Sequence, residues 1–231
     1  MNRALSGLLA LVAASTLSAQ DAPVRPAYDH VRDAPEAVAT PLSGSIRVDG
    51  VLNEPAWQGA RAITSFTQLD PQEGQPASER TEIRILFDDD ALYVGAWLYD
   101  RQPVTARLGR RDMNMSASDW LTLILDSNHD HRSAFGFELN PAGVRRDQSR
   151  AGGQEDDSWD PVWEAATTVS DSGWFAEIRI PFSQLRFTRE QVQTWGMQIE
   201  RQIARNQEFS VWAFTPRDQP GGAPRYGHLR E

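Results

Sequence analysis

The chain contains no cysteine and no lysine. Without cysteine there is no disulfide to support the fold and no thiol for catalysis. All 23 basic residues are arginine, and the formal net charge is -9. An acidic chain with no basic run does not match nucleic acid or an anionic membrane surface, because both demand concentrated positive charge. Enzyme signatures are equally missing: there is no GxSxG, no HExxH and no phosphate-binding loop. Serine, histidine and aspartate occur without a local context that assembles a triad. No solenoid-length repeat is present. The one long apolar run, Leu5 to Leu17, is too short to span a bilayer comfortably.

That run has another use. Arg3 provides a positive start, and Ser18-Ala19 offers a small-residue cleavage site before Gln20. Together they read as a signal peptide over residues 1–19, so export to a periplasm, outer membrane or extracellular space is expected. Residues 20–44 carry Pro23, Pro26, Pro35 and Pro41 without apolar bulk, and are expected to form a disordered linker or extended arm.

From residue 45 onward the pattern changes to a period of two. The stretch Arg80 to Asp100, RTEIRILFDDDALYVGAWLYD, predicts a β-hairpin turning at Asp88 to Asp90. Its second arm has apolar bulk on both faces, which predicts a central strand. Similar segments follow at Asp119–Asp126, Ser133–Leu139, Val144–Ser149, Val162–Val169, Gly173–Ile180, Met197–Ala204 and Glu208–Phe214. The fold class expected is all-β, an antiparallel, jelly-roll-like β-sandwich with one or two short helical turns. Asn53 is expected to cap the first of these, with Pro55 in its first turn and Trp57 facing inward. Pro181 to Phe187 is expected to be another. Residues 150–160, RAGGQEDDSWD, are expected to be a flexible acidic loop.

Several of these segments in order resemble a known family. They are IRVDGVLNEPAWQGA, FDDDALYVGAWLYD, the strand from Asp119, GWFAEIRIPFSQLRF, WGMQIERQ and the closing YGHL. The set is similar to the family 9 carbohydrate-binding module, a β-sandwich often joined to secreted xylanases and related hydrolases, and it covers residues 45 to 229. The LNPAG and WDPVWE variants look like modules that precede an outer-membrane-type barrel in bacterial envelope proteins. The resemblance implies a saccharide ligand held between two tryptophans, but those positions fall here at Ser116 and near Pro220. A glutamate on the strand corresponds to Thr122. The resemblance also implies structural calcium.

The residues themselves suggest other candidates. Trp159, in the acidic glycine-rich loop, is the most exposed of eight tryptophans by context, and Trp212 lies toward the ligand end; both are candidate sugar-stacking surfaces, although most tryptophans on such strands are core. Arg111 and Asp112, with Asp119, are candidates to orient a polar ligand, the alternative being a surface ion pair. Asp126, Asn128 and Asp130 have the alternate-oxygen spacing of a calcium loop, although an Asp/Asn-rich turn explains them as well. His129 and His131 are expected to lie on opposite sides of a strand, unable to share an ion.

Two functions remain open: a non-catalytic carbohydrate-binding module serving polysaccharide breakdown, and a structural or docking module without sugar affinity. An independent glycoside hydrolase is a distant third. The chain is expected to be the front of a longer protein, with Arg225 to Glu231 forming an open sheet edge.

Overall fold

The structure, a computed structural model, describes residues 29–112 and 117–231; the signal peptide expected over 1–19 lies outside them. Two sheets face each other. The larger contains β1 (Glu36–Val38), β3 (Thr67–Asp70), β6 (Trp120–Asp126), β7 (Ser133–Leu139), β8 (Arg145–Ala151), β9 (Gln154–Asp156), β12 (Thr194–Ile203), β13 (Glu208–Val211) and β14 (Gly227–Arg230). Its order is β1-β14-β12-β6-β7-β8-β9, with β13 pairing β12 and β3. The smaller contains β2 (Thr40–Pro41), β4 (Thr81–Phe87), β5 (Ala91–Tyr99), β10 (Glu164–Ser170) and β11 (Gly173–Pro181), in the order β10-β11-β5-β4-β2. The expected sandwich is the observed one, and the second arm of the organising hairpin, β5, is central in its sheet.

Alternation explains the core. Leu92, Val94, Ala96 and Leu98 of β5 point inward with Trp174, Ala176, Ile178 and Ile180 of β11. They meet Leu121, Leu123 and Leu125 of β6, Phe137 of β7, and Met197 and Ile199 of β12. The opposite face of the smaller sheet is also covered, because Leu86, Ala91 and Tyr93 pack against Trp57 of α2 (Pro55–Gly59).

One carboxylate explains why the VDG and EPAW segments belong together. Glu177 of β11 accepts the Asp49 and Gly50 backbone N–H groups at 2.9 Å each and the Trp57 indole N–H at 3.1 Å. Gly50 has φ +81°, and a Cβ there would lie 2.8 Å from the Thr167 carbonyl carbon. The turn therefore requires glycine for both conformation and space. The helix cap differs from expectation: Glu54, not Asn53, is the N-cap, and its side chain makes no capping bond. Proline at the first helical position supplies the start instead.

The arm also differs. Its described part is not disordered but built into both sheets. β1 runs parallel to β14, and two residues later β2 runs parallel to β4. Ala37 and Ala39 are buried in the core. Two strands of two or three residues carry too little sequence for a period of two to show. β14 consequently pairs with β12 on one side and β1 on the other, so Gly227 to Arg230 is not the open edge expected. The acidic loop is part strand, with β9 folding back on β8.

Candidate functional site

Residues opposite one another in an antiparallel ladder share a face. In the larger sheet this rule gives a polar row on the side away from the core. Glu200 of β12 pairs with Thr122 of β6, Thr122 with Glu138 of β7, and Glu138 with Arg146 of β8. A second row runs through Gln198, Ile124, Gly136 and Gln148. The row is tightly connected at its β7–β8 end. Arg146 donates to both Glu138 oxygens at 3.2 Å and to Asp157 at 3.0 Å. Gln148 donates to Glu138 at 3.0 Å. Glu138 is only 1% exposed, and burial pushes its carboxyl above the usual range while Arg146 pulls it back.

The row opens into a cleft of about 270 Å³ between the sheet and the chain from Thr215 to Tyr226. Arg150, Gln198, Glu200, Arg217, Arg225 and Tyr226 supply its polar lining. Arg150 reaches Glu155 at 3.2 Å, while its buried Nε has no partner. Burial raises the Glu200 carboxyl to about 7, with Glu138 and Glu155 adding to the rise and Arg150 opposing it. Guanidinium, carboxylate, amide and phenol groups together offer donors and acceptors in several directions, which suits a ligand rich in hydroxyl groups.

The strand position at which the resemblance implies a glutamate is Thr122. Its two cross-strand neighbours, Glu138 and Glu200, are both glutamates. Neither could be singled out from sequence, since each looks like an ordinary polar residue on an alternating strand. Their proximity exists only through strand pairing. Ser116 lies outside the described residues. Pro220 lies in the loop whose neighbours Gln219 and Gly221 line the cleft.

The other sequence candidates lie elsewhere. Trp159 is not an exposed platform: it is half-buried, with ring centroids 4.7 Å from Phe135 and 5.5 Å from Phe137. A flat aromatic beside a hydrophobic edge gains more from packing than from water. Trp212 is 7% exposed, packed into the core. Arg111 is taken up by Asp147 at 2.5 Å, Asp160 at 2.8 Å and the Pro161 carbonyl at 3.2 Å. Asp112 sits exposed in a turn at φ +62°. Asp119 is buried and accepts the Thr105 and Ala204 N–H groups at 2.9 and 2.8 Å, so it joins loops rather than facing a ligand.

The Asp126–Asp130 turn has a structural account that needs no calcium. Asp126 accepts the backbone N–H groups of Asp130 and His131, and Asp130 accepts those of Arg132 and Ser133. Asn128 is half-buried beside them. Acidic turn residues commonly bind their own backbone in this way.

No curated protein matches this chain. Solved structures do. A family 9 carbohydrate-binding module from Caldicellulosiruptor kristjanssonii in complex with cellotriose is 16% identical, with a TM-score of 0.62 over 84% of this chain and 92% of that one. The module from the same organism with glucose is 15% identical, with a TM-score of 0.62 over 84% and 94%. A candidate carbohydrate-binding protein from Bacteroides uniformis ATCC 8492 is 13% identical, with a TM-score of 0.66 over 85% and 99%. At such identities these likenesses establish the sandwich alone. Family assignment rests on the sequence itself, which matches "Carbohydrate family 9 binding domain-like" over residues 48–225. The chain belongs to the carbohydrate family 9 binding domain-like family.

Proposed function

We propose that this protein is an exported, non-catalytic carbohydrate-binding module that holds an oligosaccharide in the cleft bounded by Arg150, Gln198, Glu200 and Tyr226. The observation that carries this reading is the polar row Glu200–Thr122–Glu138–Arg146 on the outer sheet face, leading through Glu200 into a cleft lined by guanidinium, carboxylate, amide, hydroxyl and phenol groups. The family and its saccharide-bound relatives support a glucose-type or β-glucan ligand. The module serves polysaccharide breakdown by localising a hydrolase system or a covalently following domain. It engages no nucleic acid, and no group in the cleft needs a catalytic role.

A glycan array followed by calorimetry with glucose and cello-oligosaccharides tests this. Arg150→Ala should weaken binding about tenfold with the fold unchanged, the scale of losing a hydrogen bond from a charged group. Equal affinity in Arg150→Ala moves the ligand out of the cleft. Export predicts a mature protein beginning at Gln20, readable by N-terminal sequencing.

One observation favours the docking alternative. Among the described residues the cleft's lining includes a single aromatic side chain, Tyr226, and that residue is 5% exposed. Saccharide rings usually need an open aromatic face. A folded protein that binds nothing on the array would favour the docking role over sugar binding.

A further inference from the structure

The sequence has four histidines, and the fold brings all four together. They come from three distant segments: His30 from the short helix α1 (His30–Asp33), His129 and His131 from the turn between β6 and β7, and His228 from β14. Ring centroids lie 4.5 Å apart for His30 and His131, 4.4 Å for His30 and His228, 4.6 Å for His129 and His131, and 5.3 Å for His129 and His228. The ligand nitrogens of His30, His129 and His131 all lie within 4.8 Å of one another. This overturns the expectation that His129 and His131 cannot share an ion. Strand alternation does not apply to them, because both have left-handed φ, +51° and +57°, and the turn aims both rings to one side.

Two features single out this cluster. The first is unpartnered buried nitrogen. His129 Nε2, His131 Nδ1 and His228 Nδ1 are all buried with no hydrogen-bond partner. Buried polar atoms rarely stay so, and three within one cluster need a common explanation. The second is the way two rings are held. His30 Nε2 meets the Tyr226 carbonyl oxygen at 2.7 Å, and His228 Nε2 meets the His30 carbonyl oxygen at 3.4 Å. A carbonyl only accepts, so in both rings Nε2 carries the proton and Nδ1 carries the lone pair. Metal-ligating histidines are oriented in this way by a carbonyl behind the ring.

We propose that His30, His129, His131 and His228 form a structural site for a divalent transition metal of the zinc class. An all-imidazole donor set suits zinc, copper or nickel and not calcium, which takes oxygen ligands. Tetrahedral zinc–nitrogen bonds of about 2.0–2.1 Å set neighbouring nitrogens roughly 3.4 Å apart, so the His30, His129 and His131 nitrogens, all within 4.8 Å of one another, would close by at most about 1.4 Å, with His228 turning in as the fourth ligand. Asp126 Oδ2, 3.8 Å from His131 Nδ1, lies outside this donor set as the nearest counter-charge. The ion would fasten α1 and β14 to the β6–β7 turn, tying the first described segment of the chain to its closing strand.

The test uses the untagged full chain stripped with a chelator. Zinc should bind with one ion per chain by calorimetry and raise the melting temperature by several degrees; cobalt should give the intense visible absorption of a four-coordinate centre. His129→Ala/His131→Ala should lose all three responses while melting like the metal-free parent. His30→Ala, which leaves the turn intact, should weaken zinc at least tenfold, and it decides the matter if the double variant fails to fold. Zinc binding that survives these substitutions, no zinc-dependent rise in melting temperature, or an equal rise with calcium would overturn the proposal.

Discussion

Removing the Glu177 carboxylate should unfasten the VDG turn and α2 from the smaller sheet. In Glu177→Ala three donors lose their acceptor: the Asp49 and Gly50 amides and the Trp57 indole. The last two bonds are buried. A buried donor left unsatisfied costs about 1–3 kcal/mol, so relaxation of the partly exposed Asp49 end leaves a net loss of about 3–5 kcal/mol. For a domain of this length each kcal/mol lowers the melting temperature by about 2–4 °C, giving a fall of roughly 6–20 °C. Trp57→Phe keeps the ring's apolar contacts with the smaller sheet and loses only the indole donor, and should cost about 1–2 kcal/mol. The two losses share one hydrogen bond, so the double variant should be less damaged than their sum, by about 1 kcal/mol. Calorimetric melts of all four proteins measure the cycle. A Glu177→Ala melting temperature within 2 °C of the parent, or strict additivity, would refute the idea that this carboxylate organises the turn.

Glu200 is raised to about 7 from 4.5, so its ionisation opposes folding: the penalty is absent below pH 4.5 and grows as pH rises through 7. Discounted for partial exposure, Glu200→Gln should be about 1–2 kcal/mol more stable than the parent at pH 8.5 and equal to it near pH 4.5, read from urea midpoints. In Gly227→Ala the new Cβ would lie 2.4 Å from the Trp212 ring and 2.7 Å from the Pro35 carbonyl oxygen. Overpacking of this kind should cost about 2–3 kcal/mol and increase proteolysis of the arm. Trp159→Ala should cost about 2–4 kcal/mol through lost packing on Phe135 and Phe137, while glycan affinity stays within twofold; a large affinity loss in a folded variant would return the ligand to that tryptophan.

The sheet architecture was legible in the sequence because side-chain alternation has a local cause. Each strand of the core, such as Leu92 to Leu98 or Trp174 to Ile180, carries the pattern that decides which face it buries. The turn at Asp88 was legible for the same reason, since backbone conformation selects the residue type directly. The family followed from an ordered set of such segments. What the tertiary structure alone decided concerns residues joined by pairing rather than by spacing. The arm looked formless until β14 and β4 supplied its hydrogen-bond partners. Glu138 and Glu200 flank Thr122 only because three strands meet in one register. Four histidines separated by up to 198 positions converge because a left-handed turn, a short helix and a closing strand end at the same place. Local sequence encodes which face a residue presents, and only the folded chain determines what stands opposite it.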